Sequence, residues 1–144
     1  MQKLLKKVDY KYKFDKFKAG NTVTIDPKYK ANHLMVTPDQ IRPVVLAVGD
    51  PGRCDTVVKL CQKAVEVKWN REYRLFNVTY DGTEITLVSH GIGGPGAAIC
   101  FEELIHLGAK VIIRCGTCGT LQPDDMKPGD LMISTACASE DGHS

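Results

Sequence analysis

Five consecutive apolar residues, Val44-Val45-Leu46-Ala47-Val48, stop at Gly49-Asp50-Pro51-Gly52-Arg53. A strand without polar alternation, ended by glycine and proline, reads as buried on both faces, as in a parallel or mixed sheet. Val57, Val58, Leu60, Cys61 and Ala64 then recur at helical spacing, which predicts a helix from about Cys54 to Lys63. Tyr73 to Tyr80 and Thr83 to Ser89 are two strand-like runs joined by Asp81-Gly82, the chemistry of a tight hairpin turn. Gly91-Ile92-Gly93-Gly94-Pro95-Gly96 opens a predicted helix over Ala97 to Leu107, stopped by Gly108. Lys110 to Arg114 is a further apolar strand, broken by Cys115-Gly116-Thr117-Cys118-Gly119-Thr120, and a last strand is expected over about Asp130 to Thr135. The alternation predicts an α/β fold: a central mixed sheet flanked by helices, Rossmann-like and three-layered, with functional loops at strand ends.

The segment before this body has a different character. The first twenty residues carry seven lysines, and Tyr10-Lys11-Tyr12-Lys13-Phe14 alternates aromatic and basic positions. Such a segment has the composition of a contact for RNA or an anionic surface, but a solvated arm or charged edge strand accounts for it more simply. Gly20 to Ala31 reads as a linker, so residues 1–32 are assigned to a basic extension and 33–144 to the core domain. The 144 residues, 43% hydrophobic and 25% charged, suffice for one packed domain. The net charge of +2 demands no nucleic acid partner. No apolar run approaches the roughly 20 residues that span a bilayer, so no membrane partner is expected. Cysteines 54, 61, 100, 115, 118 and 137 lie mostly in apolar stretches and read as buried, reduced thiols of a cytoplasmic protein.

Two glycine- and cysteine-rich motifs invite other readings. Gly91-x-Gly93-x-x-Gly96 matches a dinucleotide fingerprint, but the acid expected at the end of the next strand is replaced by Arg114, which leaves an NADP-binding oxidoreductase fragment as one alternative. Cys115-x-x-Cys118 has redox or zinc spacing, yet Gln122-Pro123 soon after favours loop over helix, and none of His33, His90, His106 and His143 is spaced to complete a metal site. An inert assembly module is the third class. The arginines fit better. Arg53, Arg71 and Arg114 each stand at a loop or strand end, two of them beside glycines, and fork-shaped guanidinium donors with a hydroxyl and free backbone N–H groups suit a phosphate dianion. Surface ion pairs are the plain alternative for each of them.

Four motifs in order carry a resemblance. Gly49-Asp50-Pro51-Gly52-Arg53, Asn70-Arg71-Glu72-Tyr73, His90-Gly91-Ile92-Gly93-Gly94-Pro95-Gly96 with Glu102-Glu103-Leu104, and Ile113 through Pro123 resemble the motifs of the uridine and hexameric-type purine nucleoside phosphorylases. The resemblance covers about His33 to Ser144. It implies the fold of that family and its activity, a pentosyl transfer: reversible phosphorolysis of a nucleoside to free base and pentose 1-phosphate in nucleoside salvage, with inorganic phosphate as co-substrate and no required cofactor. It implies that Gly49, Arg53, Arg114 and Thr117 hold phosphate, with Thr117 also close to the sugar. Arg71 is implied to reach the phosphate of a neighbouring subunit's site, and His33 to contact the ribose 5′-hydroxyl there; an exposed linker histidine is the alternative for His33. A homodimer at least, up to a hexamer, with shared active sites is therefore expected. Some members hold an interface cation on a glutamate matching Glu72 and a carbonyl matching Ile92, but a third, hydroxyl ligand falls at Gly96 here; the alternative for Glu72 is a structural salt bridge.

The family's second half supplies the base contacts and the ribose-binding glutamate, and this sequence stops at Ser144 before them. The expectation is a truncated, phosphate-binding half that is inactive alone. Gly91-Ile92-Gly93-Gly94-Pro95 and His33-Leu34-x-Val36-Thr37 look more like uridine phosphorylase, and uridine is favoured on that basis. Asn70-Arg71-Glu72-Tyr73 and Gly116-Thr117-Cys118-Gly119 look like purine-cleaving members, the alternative.

Overall fold

The computed structural model describes residues 24–121, 123–136 and 138. A five-stranded mixed sheet is built from β1 (Val44–Val48), β2 (Lys63–Asn70), β3 (Tyr73–Tyr80), β4 (Thr83–Ser89) and β5 (Val111–Arg114), in the spatial order β2-β3-β4-β1-β5. β1 pairs in parallel with both β4 and β5, while β2, β3 and β4 form an antiparallel meander. Asp81 and Gly82 both take positive φ at the β3–β4 turn, as a two-residue hairpin connection of this kind requires.

The side-chain period of two sorts each central strand between two cores. Val45 and Ala47 of β1, Tyr73 and Leu75 of β3 and Val88 of β4 face helix α2 (Gly94–His106) through Cys100 and Leu104. Val48, Phe76, Val78 and Leu87 face helix α1 (Pro51–Val58) through Cys54 and the half-buried Val57 and Val58. The sheet is thus covered on both faces, which is why β1 has no polar alternation.

Four expectations are corrected. The first helix spans Pro51–Val58 rather than Cys54 to Lys63, because Asp50 caps it, its carboxylate accepting from the Gly52 N–H at 2.8 Å, and Pro51 sits at the first helical position, where it needs no donor. Lys63–Asn70 is strand β2, which was not foreseen: it lies at the sheet edge, and Val65 and Trp69 are exposed, so its apolar alternation does not mark a core face. The strand expected over Asp130 to Thr135 does not form; Leu131 and Ile133 lie 97% and 88% exposed with no ladder partner among the described residues. The thiols divide as well. Cys54 and Cys100 are buried, and burial pushes them up to about 11 and about 12, so they are poor nucleophiles. Cys115 and Cys118 are exposed rather than buried, since the loop after β5 leaves the sheet. Cys137 and the basic segment 1–23 lie outside the described residues.

Tyr29, Ala31, Leu34 and Val36 pack into the α2-side core. They are tied there by Glu103 of α2, a buried carboxylate that accepts from the His33 N–H (3.0 Å), the Leu34 N–H (2.8 Å) and the His33 ring Nδ1 (2.7 Å). Asn70 donates to the His33 carbonyl at 2.7 Å. Burial alone pushes the Glu103 carboxyl up, but the Leu34 and His33 donors outweigh it and hold the group below its ordinary value.

A lowered folded-state value means that the stabilisation from Glu103 is complete above the ordinary carboxyl range and is lost as pH falls through the folded value. Glu103→Gln is expected to lower unfolding free energy by about 1.5–3 kcal/mol near neutral pH, the worth of hydrogen bonds to a charged group. The gap from wild type should shrink in acid. Urea unfolding at about pH 7 and about pH 3 measures this, and a gap of equal size at both would refute the assignment.

Candidate active site

Because β1, β4 and β5 run parallel, their carboxyl ends open on the same edge of the sheet, where α/β folds bind ligands. The parallel ladder continues past the strands: the His90 N–H donates to Val48 O (2.9 Å), Gly91 N–H to Gly49 O (2.9 Å) and Cys115 N–H to Ala47 O (2.8 Å). Three loops are thereby held side by side around a cleft of about 850 Å³. The loop after β1 contributes Gly49, Asp50, Pro51 and Arg53; the loop after β4 contributes His90 to Gly94; the loop after β5 contributes Gly116 and Thr117, next to Arg114. Glu72 enters from the start of β3, held against β4 by the Ser89 hydroxyl, which donates to the Glu72 carbonyl while accepting from the Arg74 N–H.

Two glycines stand at close approaches in this convergence, and at Gly91 the backbone conformation itself favours glycine. Gly91 has φ +74, and a Cβ there would lie 2.7 Å from the Glu72 Cγ; at Gly116 it would lie 2.7 Å from a terminal nitrogen of Arg114. The amino ends of both helices border the cleft, α1 through Pro51 and α2 through Gly93 and Gly94, so the positive ends of two helix dipoles face it, although at α1 the first N–H groups are already taken by the carboxylate and carbonyl of Asp50.

Among the described residues, the cleft arginines form no salt bridge with a carboxylate. The arginine ion pairs among the described residues belong to Arg42 with Glu84 and to Arg74 with Asp55 and Glu66, the latter stacked over Trp69 and Phe76. Arg53, Arg71 and Arg114 take part in none, which disfavours the ion-pair alternative. The Arg114 Nε donates to His90 Nε2 at 2.9 Å. Burial first, and then the adjacent Arg114 charge, holds the His90 imidazole below its ordinary value, so the ring is neutral and able to accept.

Of the expected phosphate ligands, Gly49, Arg53, Arg114 and Thr117 come together in the cleft. Arg71 and His33 do not line it. Arg71 adopts φ +54 in the turn between β2 and β3, where its carbonyl accepts from the Trp69 indole; His33 is fixed by Glu103 with its ring edge toward Tyr73. Glu72 and Ile92 both line the cleft. Among the described residues no three His, Cys, Asp or Glu side chains cluster. At Gly96 a Cβ would meet the His90 carbonyl at 2.8 Å, so a hydroxyl-bearing side chain has no room. Sequence reasoning missed His90, weighing it only as a metal ligand. Its signal was its place, directly between a buried strand and a glycine loop.

Residues 43–144 match the family model described as the Phosphorylase superfamily. The chain is 54% identical over 109 residues to a purine nucleoside phosphorylase of Plasmodium vivax, covering 76% of this chain and 44% of that protein. It is 39% identical over 112 residues to a uridine phosphorylase of Thermococcus kodakarensis, covering 78% and 40%. Among solved structures, purine nucleoside phosphorylase from Toxoplasma gondii in complex with immucillin-H is similar with a TM-score of 0.69 and 48% identity, covering 74% of this chain and 43% of that one. The chain spans less than half the length of these relatives. The motifs, the mixed sheet and the matched family model agree, and the chain belongs to the nucleoside phosphorylase family.

Proposed function

We propose that this chain supplies the phosphate-holding part of a nucleoside phosphorylase whose substrates are purine nucleosides. The observation that carries the proposal is the convergence of Gly49, Arg53, Arg114 and Thr117, from three separate loops, on one cleft where neither arginine has a carboxylate partner among the described residues. Guanidinium forks, a hydroxyl and backbone N–H groups at helix starts are the donors a phosphate dianion needs. In the reaction a phosphate oxygen forms a bond to the anomeric carbon as the N-glycosidic bond breaks. The electron pair of that bond leaves with the base, which takes up a proton. The sugar passes through a cation-like state, so a dianion held at bonding distance is both nucleophile and counter-charge, and no protein nucleophile is required. The poor nucleophilicity of the buried thiols is consistent with this.

The preference for purines draws support from the relatives: those named for purine nucleosides share about half of the aligned residues, 54% and 51% in two Plasmodium species, against 35–42% for those named for uridine. The Gly91 to Pro95 loop, whose motif resembles uridine phosphorylase, keeps uridine as the second reading. Arg71 and His33, which lie outside this chain's own cleft, are proposed to act in a neighbouring subunit's site, in a homodimer or larger assembly.

Arg114→Ala should weaken binding of inorganic phosphate by about 1.5–3 kcal/mol, the worth of a charge-assisted pair. Calorimetric titration measures it, and unchanged affinity would remove Arg114 from the site. In a protein that spans the full length of the relatives and carries this chain, phosphate-dependent release of hypoxanthine from inosine should exceed release of uracil from uridine; the reverse ratio would restore the uridine reading. The 144-residue chain alone should turn over neither nucleoside, because contacts to ribose and base orient the anomeric carbon. Turnover abolished by Thr117→Ala would show a complete site within these residues.

A further inference from the structure

His90 is buried and polar at the head of the cleft, and the phosphate reading gives it no role. Its backbone N–H is fixed on Val48 O, and its ring stands edge-on to Phe101 of α2 at 5.8 Å. An arginine Nε always carries a hydrogen and never accepts, so the 2.9 Å contact requires a lone pair on His90 Nε2 and places the ring proton on Nδ1. That Nδ1 is buried and has no hydrogen-bond partner among the described residues. A side chain kept purely to fill space between β4 and α2 would do so better without an unsatisfied donor. Among the described residues, Arg114 is the side chain that donates to the ring.

The contact constrains Arg114 in a specific way. Of the five guanidinium N–H groups, the Nε–H is taken by His90 and the four on the terminal nitrogens stay available. The guanidinium also lies over Gly116, the residue before Thr117, where any Cβ would collide with a terminal nitrogen. The group is gripped at its inner nitrogen on one side and has the bare backbone of the phosphate loop on the other. We propose that His90 is a positioning residue for anion binding: its Nε2 anchors Arg114 so that the guanidinium offers its terminal fork, end-on, to a tetrahedral oxyanion. This rests on the reading that the cleft holds phosphate.

Inorganic phosphate titrated calorimetrically into the 144-residue chain tests both statements separately. His90→Leu should weaken binding about tenfold, as expected for loss of a contact to a charged group. His90→Gln, whose side-chain oxygen reaches the place of Nε2, should stay within about threefold of wild type, whereas His90→Asn, too short to reach, should be as weak as the leucine variant. In an Arg114→Ala background the effect of His90→Leu should fall to less than about twofold, because coupled residues are not additive. Equal weakness of the Gln and Asn variants, or an undiminished His90 effect without Arg114, would reduce His90 to packing; this comparison stands even if the leucine variant fails to fold. Wild-type affinity in all His90 variants would overturn the positioning role and leave the phosphate site intact. A folded wild type that binds no phosphate would overturn the site and the inference together.

Discussion

The parallel pairing of β1 with β4 on one side and β5 on the other is the constraint on which the site depends. Parallel neighbours end at the same edge, so the loops that follow them are forced together although they begin at Gly49, His90 and Cys115, far apart in the chain. The hydrogen bonds that run on beyond the strands, from His90 to Val48, Gly91 to Gly49 and Cys115 to Ala47, hold the loop starts in sheet register. Both sheet faces are covered, by α1 and by α2, so β1 is wholly apolar, and the buried Thr86 of β4 is satisfied by the Arg42 N–H and the Asn77 side chain.

Charge is distributed to match. Arg42 and Arg74 are satisfied by carboxylates on the sheet surface, and Arg74 is additionally stacked on two aromatic rings. Arg53 and Arg114 are left without such partners at the cleft, beside two helix amino ends. A guanidinium already paired with a carboxylate has to give up that partner before it can serve an anion. One held by a neutral histidine keeps its charge and its terminal donors.

The other ordered polar cluster, around Glu103, serves the segment that precedes the sheet. A carboxylate on α2 captures the backbone and ring of His33, while Asn70 holds the His33 carbonyl. The ring is thus oriented by the chain's own core, at a place that does not line the cleft. The same helix that opens with the cleft-lining glycines ends by fixing this second element.

By itself the sequence determined the elements whose signals are local. The apolar run Val44 to Val48, the Asp81-Gly82 hairpin and the glycine-bounded second helix were legible because steric preference and apolar period act within a few residues. The cleft residues Gly49, Arg53, Arg114 and Thr117 were legible through their motifs. Edge strand β2 was hidden because an edge needs no buried face, and the start of α1 was misplaced because its cap, Asp50, lies outside its apolar period. Leu131 to Ile133 carried a strand's composition without a strand's partner, and pairing is a tertiary property. The role of His90 was equally beyond the sequence: its meaning comes from an arginine 24 residues away, brought within 2.9 Å only because β4 and β5 flank β1 in parallel.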